Sequence, residues 1–155
     1  MNSKGEEGRM KNEEGRMKNE EGFFMMRYRW ILAVSSVLII PLGYATRFSP
    51  VLPEWFRNIS GNIAYEMLLI FLLLLIFPKV KPIVAAMIVC LISFGLEFLQ
   101  LSQNPILVVA RSNTLGRLIL GNGFTWDDFP LYVLGSAIGY VCATQVKRFA
   151  MPSRN

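Results

Sequence analysis

Histidine is absent from all 155 residues. That removes the side chain most often used as a general base and metal ligand near neutral pH. Cysteine is scarce. Cys90 and Cys142 each sit inside an apolar run with no partner at metal or redox spacing, so both read as small hydrophobes. No metal site and no cofactor is expected. Charge is thin, at 17% of residues against 53% hydrophobic, with a mean hydropathy of +0.40. A soluble domain needs more charge than this to cover its surface. Beyond residue 22 the only acids are Glu54, Glu66, Glu97, Asp127 and Asp128, against eleven Lys and Arg. That basic surplus lacks the interleaved aromatics of a nucleic-acid surface. It fits a role in setting membrane orientation instead, and no nucleic-acid partner is expected.

What is present divides by composition. Residues 1–22 repeat K-G-E-E-G-R-M, K-N-E-E-G-R-M, K-N-E-E-G. The period is seven, yet only Met10 and Met17 are apolar, so the repeat makes no coiled-coil seam. It reads as a solvated, disordered tail over 1–24, with Met25 and Met26 as candidate starts of a shorter form. Four apolar runs follow, at residues 30–46, 61–77, 83–101 and 128–146. Each is close to the ~20 residues that a helix needs to cross the hydrocarbon core. They are continuous rather than alternating, which favours helices over barrel strands. The sequence therefore predicts an all-α, polytopic membrane protein. Its four transmembrane helices lie within a domain at 25–149, and a short disordered tail follows at 150–155. Pro41 should kink the first helix.

Lys and Arg set the expected topology. Arg27, Arg29, Lys79, Lys81, Lys147, Arg148 and Arg154 fall on one side, with the tail; Arg47, Arg57, Arg111 and Arg117 fall on the other. The richer side is predicted to be cytoplasmic, which puts both termini inside a cell membrane and the 102–125 connection outside. Asn104-Pro105 and Ser112 look like starts of short interfacial helices within that connection.

The ionisable residues gather near the outer ends of the runs. Glu97 lies four residues before the end of the third run, and Gln100 shares its face at i+3. Asn62 and Glu66 form an i, i+4 pair in the second run, read as equally shallow. Asp128 opens the fourth. Arg111 and Arg117 lie on the outer connection and can pair with carboxylates bidentately. Two readings stay open: a closed ion-pair network that ties the connection down, or an outward polar pocket. In the pocket reading Arg111 and Arg117 hold a head group, or Glu97 and Asp128 serve as catalytic acid and base. A transporter is a further alternative. Gly135 and Gly139 form a small-xxx-small face, suited to helix packing and in the minority case to a homodimer.

The string Glu97, Gln100, Arg111, Phe124, Trp126, Asp128, Tyr132, Gly135, Gly139 resembles the VanZ-like superfamily of small membrane proteins. Within it the chain is most similar to the uncharacterised domain-of-unknown-function 2809 family, over about residues 28–146. VanZ-like proteins generally carry Asn where this chain has Tyr132. The uncharacterised branch often carries Gly-Asp where this chain has Gly61-Asn62. The resemblance adds Trp126 and Tyr132 to Gln100, Arg111 and Arg117 as binding candidates. It implies a bacterial cell-envelope role without supplying a reaction, with membrane lipids and an envelope-precursor head group as the partners to consider.

The charge asymmetry has a direct check. In a chain with Cys90 and Cys142 replaced by Ser, Asn113→Cys should react with an impermeant thiol reagent in intact cells. Val80→Cys should not react until the membrane is opened. The reverse pattern would turn the chain over.

Overall fold

The computed structural model describes residues 3–101, 109, 112 and 124–150. Four helices account for nearly all of them: α1 (Ser3–Arg47), α2 (Glu54–Ile76), α3 (Pro82–Gln100) and α4 (Asp128–Ala150). No strand occurs among the described residues, and all four helices are long and apolar enough to cross a membrane. The expected short helices of the third connection, Arg111, Arg117 and the last five residues lie outside the described residues.

Local chemistry sets the helix ends. Pro82 stands in the first turn of α3, where its missing N–H is not needed. Pro53 directly precedes α2 and Glu54 opens it, an acid at the positive end of the helix dipole. This start is seven residues earlier than the apolar run indicates, because Trp55, Phe56, Arg57 and Asn58 are helical without being uniformly apolar. The Phe77 N–H closes α2 on the Leu73 carbonyl at 2.8 Å.

α1 departs most from expectation. It contains Pro41 within its length and extends back through the repeat, where the sequence predicts disorder. The seven-residue period explains part of this, because it sets acid and base four apart. Lys11 pairs with Glu7 at 3.4 Å and Lys18 with Glu14 at 2.7 Å, and Arg16 meets Glu20 at 3.7 Å. Exposed pairs of this kind contribute about 0.3–0.5 kcal/mol each. A glycine in a helix costs about 1 kcal/mol, and each repeat unit carries at least one. The pairs therefore do not hold this helix alone; it propagates from the packed part of α1. Side chains 6–19 are exposed, and the first fully buried one is Tyr28.

α2 and α4 form the central pair, each packing on the other, on α1 and on α3. Arg27 lies over the Phe149 ring at 4.9 Å, which sets α1 level with the end of α4. From Arg27 to Arg47, at 1.5 Å per residue, α1 spans about 30 Å, the thickness of a hydrocarbon core. Outward-facing positions are strongly apolar, among them Trp30, Val37, Leu42, Leu91 and Val141.

The interior splits into two halves along the bundle axis. Toward the basic end it is apolar: Tyr28 and Leu32 of α1, Ile70 and Leu74 of α2, Ala85 and Val89 of α3, Ala143 of α4. Toward the other end it is polar, with Glu66, Ser93, Glu97, Tyr132 and Ser136 buried.

Glycine sets the close approach of α4 to α2. A Cβ on Gly135 would stand 2.9 Å from Glu66 Cβ and 3.2 Å from the Ile63 Cα, while one on Gly139 would stand 2.6 Å from Ile70 Cδ1. The small-xxx-small face is thus occupied inside the chain. The two sites should respond differently to alanine. Ile70 Cδ1 is the end of a flexible side chain and can turn away. The neighbours of Gly135 are a Cβ and backbone, which cannot. Gly135→Ala should lower stability by about 1–3 kcal/mol, as overpacking does, and Gly139→Ala by less. Thermal unfolding of the purified protein in detergent reads both, and equal losses would contradict the packing.

Candidate functional site

The polar half is built from three helical faces. α2 contributes Asn62 and Glu66 at i, i+4. α3 contributes Ser93, Glu97 and Gln100 at i, i+4, i+7. α4 contributes Asp128, Tyr132 and Ser136 at i, i+4, i+8. Each set repeats about once per turn, so each makes a stripe down one face of its helix. Together the stripes form a column from the bundle end to its middle.

The deepest level holds Glu66. Its side chain is fully buried. The Ser93 hydroxyl donates to Oε1 and the Ser136 hydroxyl to Oε2, the latter at 2.6 Å. One carboxyl group thereby ties α2 to both α3 and α4. The sequence places Glu66 as shallow as Glu97. In the structure it is twelve residues in from Glu54 and ten from Ile76, near the middle of α2. The early start of α2 accounts for the difference.

The next level holds Glu97, also fully buried. Oε2 accepts from Gln100 Nε2 at 3.0 Å and from the Tyr132 hydroxyl at 2.9 Å. Oε1 accepts from the Thr125 backbone N–H at 2.6 Å. These bonds join α3 to α4 and to the segment entering α4. An aromatic group holds that segment in place. Phe129 packs on Phe94 and Phe98 at ring distances of 4.9 and 5.4 Å, and Trp126 stacks on Phe129 at 5.5 Å. Trp126 is itself exposed at the rim.

The top level is less buried. Asp128, half-buried, accepts on Oδ1 from Asn62 Nδ2 at 3.0 Å. Beside it, Arg47 Nη1 donates to Asn58 Oδ1 at 2.9 Å. Among the described residues no ion pair reaches Glu66, Glu97 or Asp128. No three Cys, Asp or Glu among them converge as a metal would require.

The structure thus brings together Glu97, Gln100 and Tyr132, and sets Asp128 beside Asn62 on the neighbouring helix. Arg111 and Arg117 lie outside the described residues. Sequence reasoning passed over Ser93, Ser136 and Arg47. Ser93 stands four residues before Glu97 and Ser136 four after Tyr132, and that spacing was the available signal.

The hydrogen bonds to Glu97 give a stability prediction. Tyr132→Phe removes one donor and leaves a buried acceptor short of a partner, at a cost of about 1–3 kcal/mol. Ser136→Ala should cost a similar amount at Glu66. The two acceptors are separate groups, so the losses should nearly add in the double variant. Thermal unfolding tests this; a double loss no greater than either single would show one coupled network.

A family model for a protein of unknown function, DUF2809, matches residues 51–136. No solved structure matches the chain. The match takes in α2, α3 and the first turns of α4, and every residue of the column falls within it. Since it covers more than half of the sequence, the chain belongs to the DUF2809 family, an uncharacterised family that here takes the form of four helices long and apolar enough to span a membrane.

Proposed function

We propose that the chain is a bacterial cell-envelope membrane protein that binds the polar head group of an envelope lipid or glycopeptide precursor at the rim end of its column. The observation that carries this reading is the contrast among the three carboxyl groups. Glu66 and Glu97 are fully buried and engaged on both oxygens. Asp128 is half-buried at the rim, with a described bond on one oxygen alone. It is the carboxyl group that a ligand can reach. The distribution of Lys and Arg supports an outward-facing site with cytoplasmic termini, and the resemblance to VanZ-like proteins supports the envelope setting.

The enzyme reading, with Glu97 and Asp128 sharing acid and base work, has weaker support. A general acid must reach its substrate, and Glu97 is committed to three scaffold donors. A transport path has weaker support still. The column runs from the rim to Glu66, then meets Ile70, Leu74, Val89 and Ala143, an interior with no buried carboxylate or cation among the described residues to continue it.

Extraction and mass spectrometry of the purified protein test the proposal. One amphiphile should be enriched several-fold over its share of the bulk membrane. The isosteric Asp128→Asn should lose that enrichment while remaining monodisperse on size exclusion. Extracts that mirror the bulk membrane for both proteins would overturn it.

A further inference from the structure

At the rim of the column, among the described residues, Arg47 and Asp128 stand near each other and do not pair. Arg47 ends α1 and Asp128 begins α4. Each is held by a neutral amide of α2, Arg47 by Asn58 and Asp128 by Asn62. The two amides are four residues apart on one helical face, about 6 Å along the axis. Arg47 is close enough to act on Asp128 through space, yet makes no ion pair with it. This separation is built into the backbone. Gly61 lies between the amides, and a Cβ there would meet Arg47 Cδ at 3.1 Å and Nη1 at 3.5 Å. Glycine therefore lets the arginine lie flat along α2 and reach Asn58. The second guanidinium at this end, Arg57, turns instead to the Ser49 carbonyl at 3.4 Å.

Opposite charges held near each other, the arginine exposed and the aspartate half-buried, match a ligand that carries both signs. The surroundings here are the level of the head groups, since α1 from Arg27 to Arg47 spans about one hydrocarbon thickness. We propose that this rim is a seat for a zwitterionic aminoalkyl phosphate. The guanidinium of Arg47 takes the phosphate, and the Asp128 carboxylate with the Asn62 amide takes the primary ammonium. A guanidinium suits phosphate through its paired N–H donors. A carboxylate selects an ammonium that can donate hydrogen bonds over a trimethylated one that cannot. The ligand is phosphoethanolamine, borne on a lipid or free in solution. This deepens the head-group reading above and rests on it.

The test uses the full chain in mild detergent, titrated with phosphatidylethanolamine, phosphatidylcholine and phosphatidylglycerol of matched acyl chains and read by native mass spectrometry. Phosphatidylethanolamine should be retained about tenfold better than the other two, the size of one charge-assisted interaction. Asp128→Asn should bring its retention down to that of phosphatidylglycerol. Arg47→Gln should weaken all three. Gly61→Val leaves both charges in place but displaces Arg47, and should behave like Arg47→Gln. Free phosphoethanolamine that displaces the lipid assigns the ligand to the soluble source; retained lipid in its presence assigns it to the membrane. Equal retention of the three lipids, or a preference unchanged by Asp128→Asn and Gly61→Val, overturns the proposal. The head-group reading fails separately, when purified protein shows no Asp128-dependent amphiphile of any kind. An enriched amphiphile that lacks an aminoalkyl phosphate sinks this inference and leaves that reading standing.

Discussion

A carboxyl group that no water reaches must receive its hydrogen bonds from the protein. Two such groups, Glu66 and Glu97, stand inside this bundle, and much of its architecture follows from satisfying them. A carboxyl has two oxygens and several acceptor positions, so each draws donors from more than one element. Glu66 collects hydroxyls from α3 and α4. Glu97 collects one from α4, an amide from its own helix and a backbone N–H from the segment before α4. In a bundle whose outer face is as apolar as lipid, helix association gains little from hydrophobic burial. Directional bonds of this kind then decide which helices neighbour one another and in what register.

Reaching those bonds requires a short distance between α2 and α4, and this is where glycine enters. Gly135 lies against Glu66 Cβ and the Ile63 backbone. Its neighbour in sequence, Ser136, delivers the hydroxyl to the same glutamate. One turn of α4 thus supplies both the close approach and the bond that exploits it. Below this level the requirement changes. Ile70, Leu74, Val89 and Ala143 have no polar atoms to satisfy and pack by shape alone. The hydrogen bonds that buried side chains make between helices gather in the half near the rim, while the other half buries the hydroxyls of Tyr28 and Thr144 among apolar side chains.

The legibility of the sequence follows the same division. Apolar run length reveals the four helices, because hydrocarbon thickness fixes it. The isolated acids reveal that the polar residues cluster near one end, since a carboxyl in such a run needs a reason. Their depth was harder to read. α2 starts at Glu54 through a Trp-Phe-Arg-Asn stretch that hydropathy alone counts as a connection, and this moved Glu66 from shallow to central. Ser93 and Ser136 escaped because serine is common in membrane helices and carries no charge to mark it. Only its spacing from Glu97 and Tyr132 distinguishes it. The helical repeat was missed for a different reason: its i, i+4 pairs are weak alone, and the helix they join is nucleated elsewhere.

Asn62 shows how a single neutral group shapes the rim. It sits opposite Asp128 at hydrogen-bonding distance. An aspartate at 62 would set two carboxylates at that distance, an arrangement that holds together only when they share a proton. The amide makes the same contact with an N–H and brings no charge of its own. Asn58, one turn away, does the converse for Arg47, offering a carbonyl oxygen to a guanidinium. α2 thus presents a donor to the anion and an acceptor to the cation. A carboxylate at 58 or an ammonium at 62 would have closed the rim on itself as an ion pair. With amides at both, each charge is positioned without being neutralised, and the field between them stays available to a ligand.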